Sequence, residues 1–140
     1  MSDNAPQMPL PIPQPESQRY WEGLRNREIW LRHCETCSAT YFYPRDICPE
    51  CFSRHTSWLR SAGRGLLHAF VIVHRPPAPA FGGRVPYVAG LVQLEGSARI
   101  PTNLIDVPPD PEHVRIGMAL EPVFEDYGPD ITLLKFRPAR

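Results

Sequence analysis

Apolar residues recur along this chain in two rhythms, and the change from one to the other divides it. Between residues 16 and 27, Tyr20, Trp21 and Leu24 fall at spacings of three and four, which predicts a short helix with one apolar stripe. Residues 29–32 then read as one strand. From Leu66 onward the rhythm becomes period two mixed with short apolar runs, and this predicts five strands: residues 66–75, 86–95, 98–105, 118–125 and 131–137. Between the third and fourth lies PPDPEHVR, residues 108–115, enough for about one helical turn opened by proline.

Three strands, a short helix and two strands is the order of the OB-fold, a small Greek-key barrel. A split sandwich would give a similar pattern. In a barrel of this size alternate residues fill the interior, and Phe70, Ile72, Val88, Val92 and Leu94 are the expected ones. One connection does not fit a compact barrel. Residues 76–85, PPAPAFGGRV, are too long and too apolar for an ordinary hairpin loop of about two to five residues, and such loops usually touch something.

Between the helix and the barrel stand the only four cysteines, as Cys34-Glu35-Thr36-Cys37 and, ten residues later, Cys48-Pro49-Glu50-Cys51. A two-residue gap lets the chain turn back so that both sulfurs of a pair face one centre, and two such knuckles close a tetrahedral shell around zinc. Iron in a rubredoxin-like site suits the same donors. A thioredoxin-like redox site would need a single Cys-x-x-Cys at a helix start, and disulfides would need an oxidising compartment for which the N-terminus shows no signal sequence. His33 and His55 are the alternative ligands, set aside because the cysteine set is already complete. A four-thiolate shell leaves no open position for water or substrate, so the metal is expected to fold the chain rather than catalyse. Arg32, His33, Arg45 and Arg54 lie close enough in sequence to offset the shell's negative charge.

The expected organisation is therefore mainly β: a proline-rich arm over residues 1–15, a helix over 16–28, a rubredoxin-like zinc ribbon over 29–62 and a five-stranded OB-fold over 63–140. Two large aromatics on so short a helix require burial, either on the chain's own ribbon and barrel or against another chain. Fifteen basic residues balance fifteen acidic ones. That is a poor footprint for a nucleic-acid binder, although single-stranded nucleic-acid binding is the alternative use of an OB-fold with a ribbon. Of the fifteen basic residues only Lys135 is a lysine, a bias that fits a GC-rich genome more than a mechanism. No apolar run is long enough for a membrane span, and the expected location is cytoplasmic. No cysteine is left over as a nucleophile and no Ser-His-acid spacing stands out. His68 and His74, six apart on one predicted strand, would share a face, but no third ligand accompanies them and they read as ordinary strand histidines.

With both halves in view, the chain resembles the zinc-ribbon OB-fold proteins of domain-of-unknown-function family thirty-five, associated with acyl-CoA metabolism. The likeness rests on Tyr20-Trp21-Glu22, the four cysteines with Pro44-Arg45 between them, Gly63-Arg64-Gly65, Pro86-Tyr87-Val88 and Leu94-Glu95-Gly96. It continues through Asn103-Leu104, Ile116-Gly117-Met118 and Phe136-Arg137-Pro138, nearly the whole chain. The resemblance implies a non-catalytic partner of thiolase-like or aldolase-like enzymes, with acyl-CoA hydratase domains among the associates, that helps to hold the acyl-CoA. Its expected contact surface, with an enzyme or with a second copy, comprises Tyr20, Trp21 and Leu24 on the helix and Phe81 in the loop. Arg75 and Arg84, flanking that loop, are the candidates for the CoA phosphates, since guanidinium groups bind phosphate oxygens in pairs.

The charge balance makes one prediction. In fluorescence anisotropy at about 0.15 M salt the chain should give no saturable binding to a single-stranded oligonucleotide at micromolar protein, and saturable micromolar binding would reinstate the nucleic-acid reading.

Overall fold

The computed structural model describes residues 8–140, so the first part of the proline-rich arm lies outside the described residues. The elements are α1 (Gln18–Arg25), β1 (Ile29–Cys34), β2 (Thr40–Tyr41), β3 (Thr56–Ser61), β4 (Gly65–Val73), β5 (Tyr87–Gln93), β6 (Arg99–Leu104), β7 (Ala119–Tyr127) and β8 (Ile131–Pro138). A single 3-10 turn, Pro79–Phe81, sits in the β4–β5 loop. β2, β1 and β3 make a three-stranded antiparallel sheet in the order β2-β1-β3. β4 to β8 close into a barrel in the order β4-β5-β6-β8-β7, with β7 returning to β4 at Gly65↔Leu120 and Leu66↔Ala119. This is the OB-fold order that the sequence predicts.

The strands stop where backbone chemistry stops them. Gly63, Gly96 and Gly128, all at positive φ, sit just before β4, between β5 and β6, and between β7 and β8. The helix ends in the same way at Arg27, a non-glycine residue at φ 62°. Its left-handed turn aims the guanidinium at β7, where it donates twice to Asp126 at 2.8 Å. Arg27 first, and then the Thr132 hydroxyl, hold the Asp126 carboxyl below the ordinary carboxylate range.

One apolar core runs through all three parts. Tyr20 and Leu24 of α1, Ile29 and Leu31 of β1, and Leu67, Val88, Val92, Ile100, Leu104, Leu120, Leu134 and Phe136 of the barrel form a single buried cluster. Gly23 marks a close approach of α1 to β1, because a Cβ there would lie 2.5 Å from Trp30 Cδ1. The choice left open for the helix aromatics is settled for two of its residues. Tyr20 and Leu24 are 3% and 0% exposed within this chain, so they belong to its interior and not to a contact surface. The apolar stripe is satisfied by β1 and by β7 and β8, against which α1 packs.

Three further details differ from the sequence expectations. Residues 108–115 make a hydrogen-bonded turn, with Val114 N–H donating to Asp110 O at 3.2 Å, but no helix. β3 was not anticipated, although it pairs with the whole length of β1 from Ile29↔Ser61 to Cys34↔Thr56. In β4, a bulge at His68 shifts the register from Leu67↔Val92 to Ala69↔Leu91. The inward positions therefore switch from Gly65 and Leu67 to Phe70 and Ile72, which are partly buried against the core. For the same reason His68 and His74 do not share a face, and His74 lies beyond the end of the strand.

A shared core predicts shared unfolding. Leu24→Ala should cost about 2–5 kcal/mol, as for other buried leucines, and lower a single melting transition seen by both near- and far-ultraviolet dichroism. Two separated transitions, with the barrel unaffected, would contradict the continuous core.

Candidate metal centre and the groove beside it

The two cysteine pairs fold as near copies of each other. Cys34 N–H donates to Ala39 O at 2.8 Å and Ser38 N–H to Cys34 O at 2.9 Å, while Cys48 N–H donates to Ser53 O at 3.0 Å and Phe52 N–H to Cys48 O at 2.9 Å. Each knuckle closes through a left-handed residue just after its second cysteine, Ser38 at φ 66° and Phe52 at φ 61°. Backbone N–H groups then point at sulfur: Cys37 N–H at Cys34 Sγ, 3.5 Å, and Glu50 N–H at Cys48 Sγ, 3.4 Å.

All four sulfurs lie within 4.8 Å of one another, with Cys34–Cys51 at 3.6 Å and Cys37–Cys48 at 3.7 Å. A tetrahedron with metal–sulfur bonds of about 2.3 Å has edges of about 3.8 Å, close to the two short sulfur pairs here. Their ionisation argues the same way. The Cys37 N–H draws the Cys34 thiol down to about 6. Against the help of the Ala39 N–H, burial and the neighbouring thiols push Cys37 up to about 12. Thiolates this close repel, and a divalent cation at their centre removes the conflict. Cys34, Cys37, Cys48 and Cys51 are the residues placed to hold a structural zinc. Neither histidine joins them: His33 Nδ1 meets the Thr40 hydroxyl at 3.0 Å.

Of the charges expected to offset the shell, that of Arg32 is used elsewhere in the ribbon. Arg32, 7% exposed, lies 4.7 Å over the Trp58 ring, bonds the Thr56 hydroxyl and Arg45 O, and pairs with Asp46 at 3.5 Å. It ties β1 and β3 to the segment between the knuckles. That segment carries Phe42 and Tyr43 against the helix: the Tyr20 ring stands 5.0 Å from Trp21 and 5.2 Å from Phe42, and Trp21 Nε1 donates to the Tyr43 hydroxyl at 3.0 Å. The ribbon thus reaches the helix through an aromatic stack, and Trp21 keeps one partly exposed face.

On the outer wall of the barrel the remaining candidates separate. A cavity of about 150 Å³ lies beneath the β4–β5 loop, lined by Phe81, Arg84, Tyr87, Asn103, Glu125 and Lys135, among others. A second, of about 190 Å³, is lined by Tyr20, Trp21, Phe42, Tyr43, Asn103 and Lys135, among others. Lys135 and Asn103 border both, so together the two cavities form a groove running from the aromatic stack to the loop. The structure brings Trp21, Phe81 and Arg84 to this groove. Arg75 is exposed and lines neither cavity.

Lys135 and Asn103 were missed as a site. Lys135 is 8% exposed, its Nζ donates to Asn103 Oδ1 at 2.8 Å, and Asn103 Nδ2 donates to Val88 O at 3.2 Å. Burial, opposed by Glu125 and helped by Arg84, holds the ammonium below the ordinary lysine pKa. The signal in the sequence was a solitary lysine, in an apolar strand, where every other basic residue is arginine. A larger cleft, about 610 Å³, includes Arg64, Glu95, Glu121 and Arg140. Its carboxylates are already engaged, Glu95 with Ser61 and Ala62 and Glu121 with Arg137.

Comparison with known proteins agrees with this geometry. The rubredoxin-like zinc ribbon domain of ChsH2 matches residues 21–56, and the C-terminal OB-fold domain of ChsH2 matches residues 58–125. The chain is 35% identical to a DUF35 domain-containing scaffold protein of Methanocaldococcus jannaschii over 109 residues, covering 76% of this chain and 74% of the relative. It is 32% identical to a probable enoyl-CoA hydratase alpha subunit of Thermomonospora curvata over 131 residues, covering 94% of this chain but only 40% of that relative. Among solved structures it resembles the Ltp2-ChsH2(DUF35) aldolase, with TM-score 0.78 and 31% identity over 92% of this chain and 98% of that one.

Chain purified without added metal should hold one zinc, measured by plasma emission. Cys48→Ser should lose that zinc and lower the melting temperature, and acidification should release the metal as protons compete for the thiolates. Full stability in a metal-free chain would remove the structural role.

Proposed function

The chain belongs to the DUF35 family of zinc-ribbon OB-fold proteins, and on that premise we propose that it is an accessory subunit of a thiolase-like or aldolase-like acyl-CoA enzyme. The observation that carries this reading is the likeness to the Ltp2-ChsH2(DUF35) aldolase over 98% of that chain. Relatives named as scaffold proteins support a non-catalytic role. The hydratase alpha subunit, of which this chain spans 40%, supports acyl-CoA hydratase-like partners as a second class.

The surface offers places for such an enzyme. Val71 is 60% exposed on the outer face of β4, beside a shallow apolar depression that also includes Ala69, Ala89 and Leu91. The β4–β5 loop adds Phe81, partly buried with its ring 6.3 Å from Tyr87. A loop this apolar, outside the barrel core, suits a partner that covers it. Acyl-CoA, where this subunit helps to hold it, passes by the same loop, with Arg84 and the more distant Arg75 available to phosphate oxygens. The closed metal shell takes no part in the chemistry, which the enzyme supplies.

Affinity capture of the tagged chain from its native cells should recover an enzyme of one of these classes in comparable amount. Phe81→Ala should reduce the recovered enzyme about tenfold or more, the effect of losing an aromatic anchor, while leaving the melting temperature of the isolated chain within a few degrees. Trp21→Ala is a poorer probe, because it also breaks the bond to Tyr43. Acyl-CoA turnover by the isolated chain, or capture that yields none of these enzymes, would overturn the proposal.

A further inference from the structure

Lys135 is buried, yet among the described residues no carboxylate comes within 4.0 Å of its ammonium. An ammonium has three N–H groups, and Asn103 Oδ1 takes one of them. A buried cation normally has a partner, because removing it from water costs several kcal/mol unless an opposite charge or a set of acceptors replaces the solvent. Among the described residues no other cation is so placed. Arg32, the other buried one, is stacked, paired and hydrogen-bonded.

Lys135 lines the cavity of about 150 Å³ under the β4–β5 loop. Arg84 reaches the same cavity from the loop, its guanidinium held near the Tyr127 hydroxyl at 3.5 Å. Glu125 is the only acidic residue in the lining, so two cations face one carboxylate and a surplus of one positive charge remains. The rest of the wall is largely apolar: Met8, Phe81, Tyr87, Leu104 and Ile105. The volume is well below the 300 Å³ or so at which sites for drug-sized ligands begin.

We propose that this cavity is a binding site for a small monocarboxylate with a short apolar tail, its carboxylate held by Lys135 and Arg84 and its tail by Phe81, Tyr87 and Leu104. The single surplus charge matches a monoanion and leaves a phosphate dianion undercompensated. Asn103, with Nδ2 donating to Val88 O, orients the ammonium through Oδ1. The site lies wholly on this subunit and does not depend on the identity of the enzyme partner. Because Phe81 and Arg84 belong to the loop, occupancy fixes that loop against the barrel.

The test is titration of the full chain with butyrate, with inorganic phosphate and with butyramide, a neutral analogue of the same shape, followed by the nuclear magnetic resonance shifts of Lys135 and Tyr87. Saturable shifts with butyrate, absent with butyramide and weaker with phosphate, are expected. Lys135→Met keeps the volume and removes the charge. It should bind butyrate at least about tenfold more weakly, the effect of losing a charge-assisted hydrogen bond, without lowering the melting temperature. Arg84→Gln, an exposed change, should weaken binding as well and carries the test if the first variant fails to fold. Equal butyrate affinity in the folded variants, tighter binding of phosphate than of butyrate, or no butyrate shift at all would overturn the proposal.

Discussion

Four sulfurs within 4.8 Å of one another repel as thiolates unless a cation lies between them, and the arrangement of the whole N-terminal half follows from that constraint. A ribbon of this size buries too little apolar surface to hold itself together. The metal fixes both knuckles, and with them the segment between, so that Arg32 can bridge β1, β3 and that segment from one buried position. Phe42 and Tyr43 are thereby presented to α1. In other proteins built from a ribbon and a barrel the two could be independent beads. Here Leu24 and Leu31 enter the same core as Phe136, and metal and barrel stabilise one another through the helix.

This coupling gives the groove its shape. One wall is the aromatic stack set by the ribbon, the other is the loop after β4, and the floor is the seam between β6 and β8. That seam carries one parallel pair, Leu104↔Phe136, helped by the Thr102 hydroxyl bonding Leu134 O at 2.8 Å. Lys135 and Asn103 cross it on the outer face. The polar bridge thus places a cation at the centre of the groove. For the proposed accessory role, a subunit needs a rigid body and a distinctive surface. The metal and core supply the first, and the loop and groove supply the second.

Much of this was legible in the sequence, for reasons specific to each element. The cysteine spacing has few chemical solutions, and the strand rhythm of residues 86–95 and 131–137 is set by alternation that a barrel interior enforces. The stripe Tyr20, Trp21, Leu24 announced burial but could not say against what, because the β7–β8 surface that receives it is formed about a hundred residues later. The bulge at His68 has no side-chain signature, so the histidine pair was placed on one face when the register divides it. Lys135 and Asn103 are 32 residues apart and meet only because β6 and β8 become neighbours. Composition made Lys135 look incidental, and topology made it central.

The central claim is that the metal closes the fold and leaves the chemistry to another chain, and zinc K-edge absorption spectroscopy tests it most directly. The account predicts four sulfur neighbours at about 2.3 Å and no lighter ligand, in the presence or absence of acyl-CoA. A nitrogen or oxygen neighbour replacing one sulfur, or one that appears when acyl-CoA is added, would open a coordination site and contradict it.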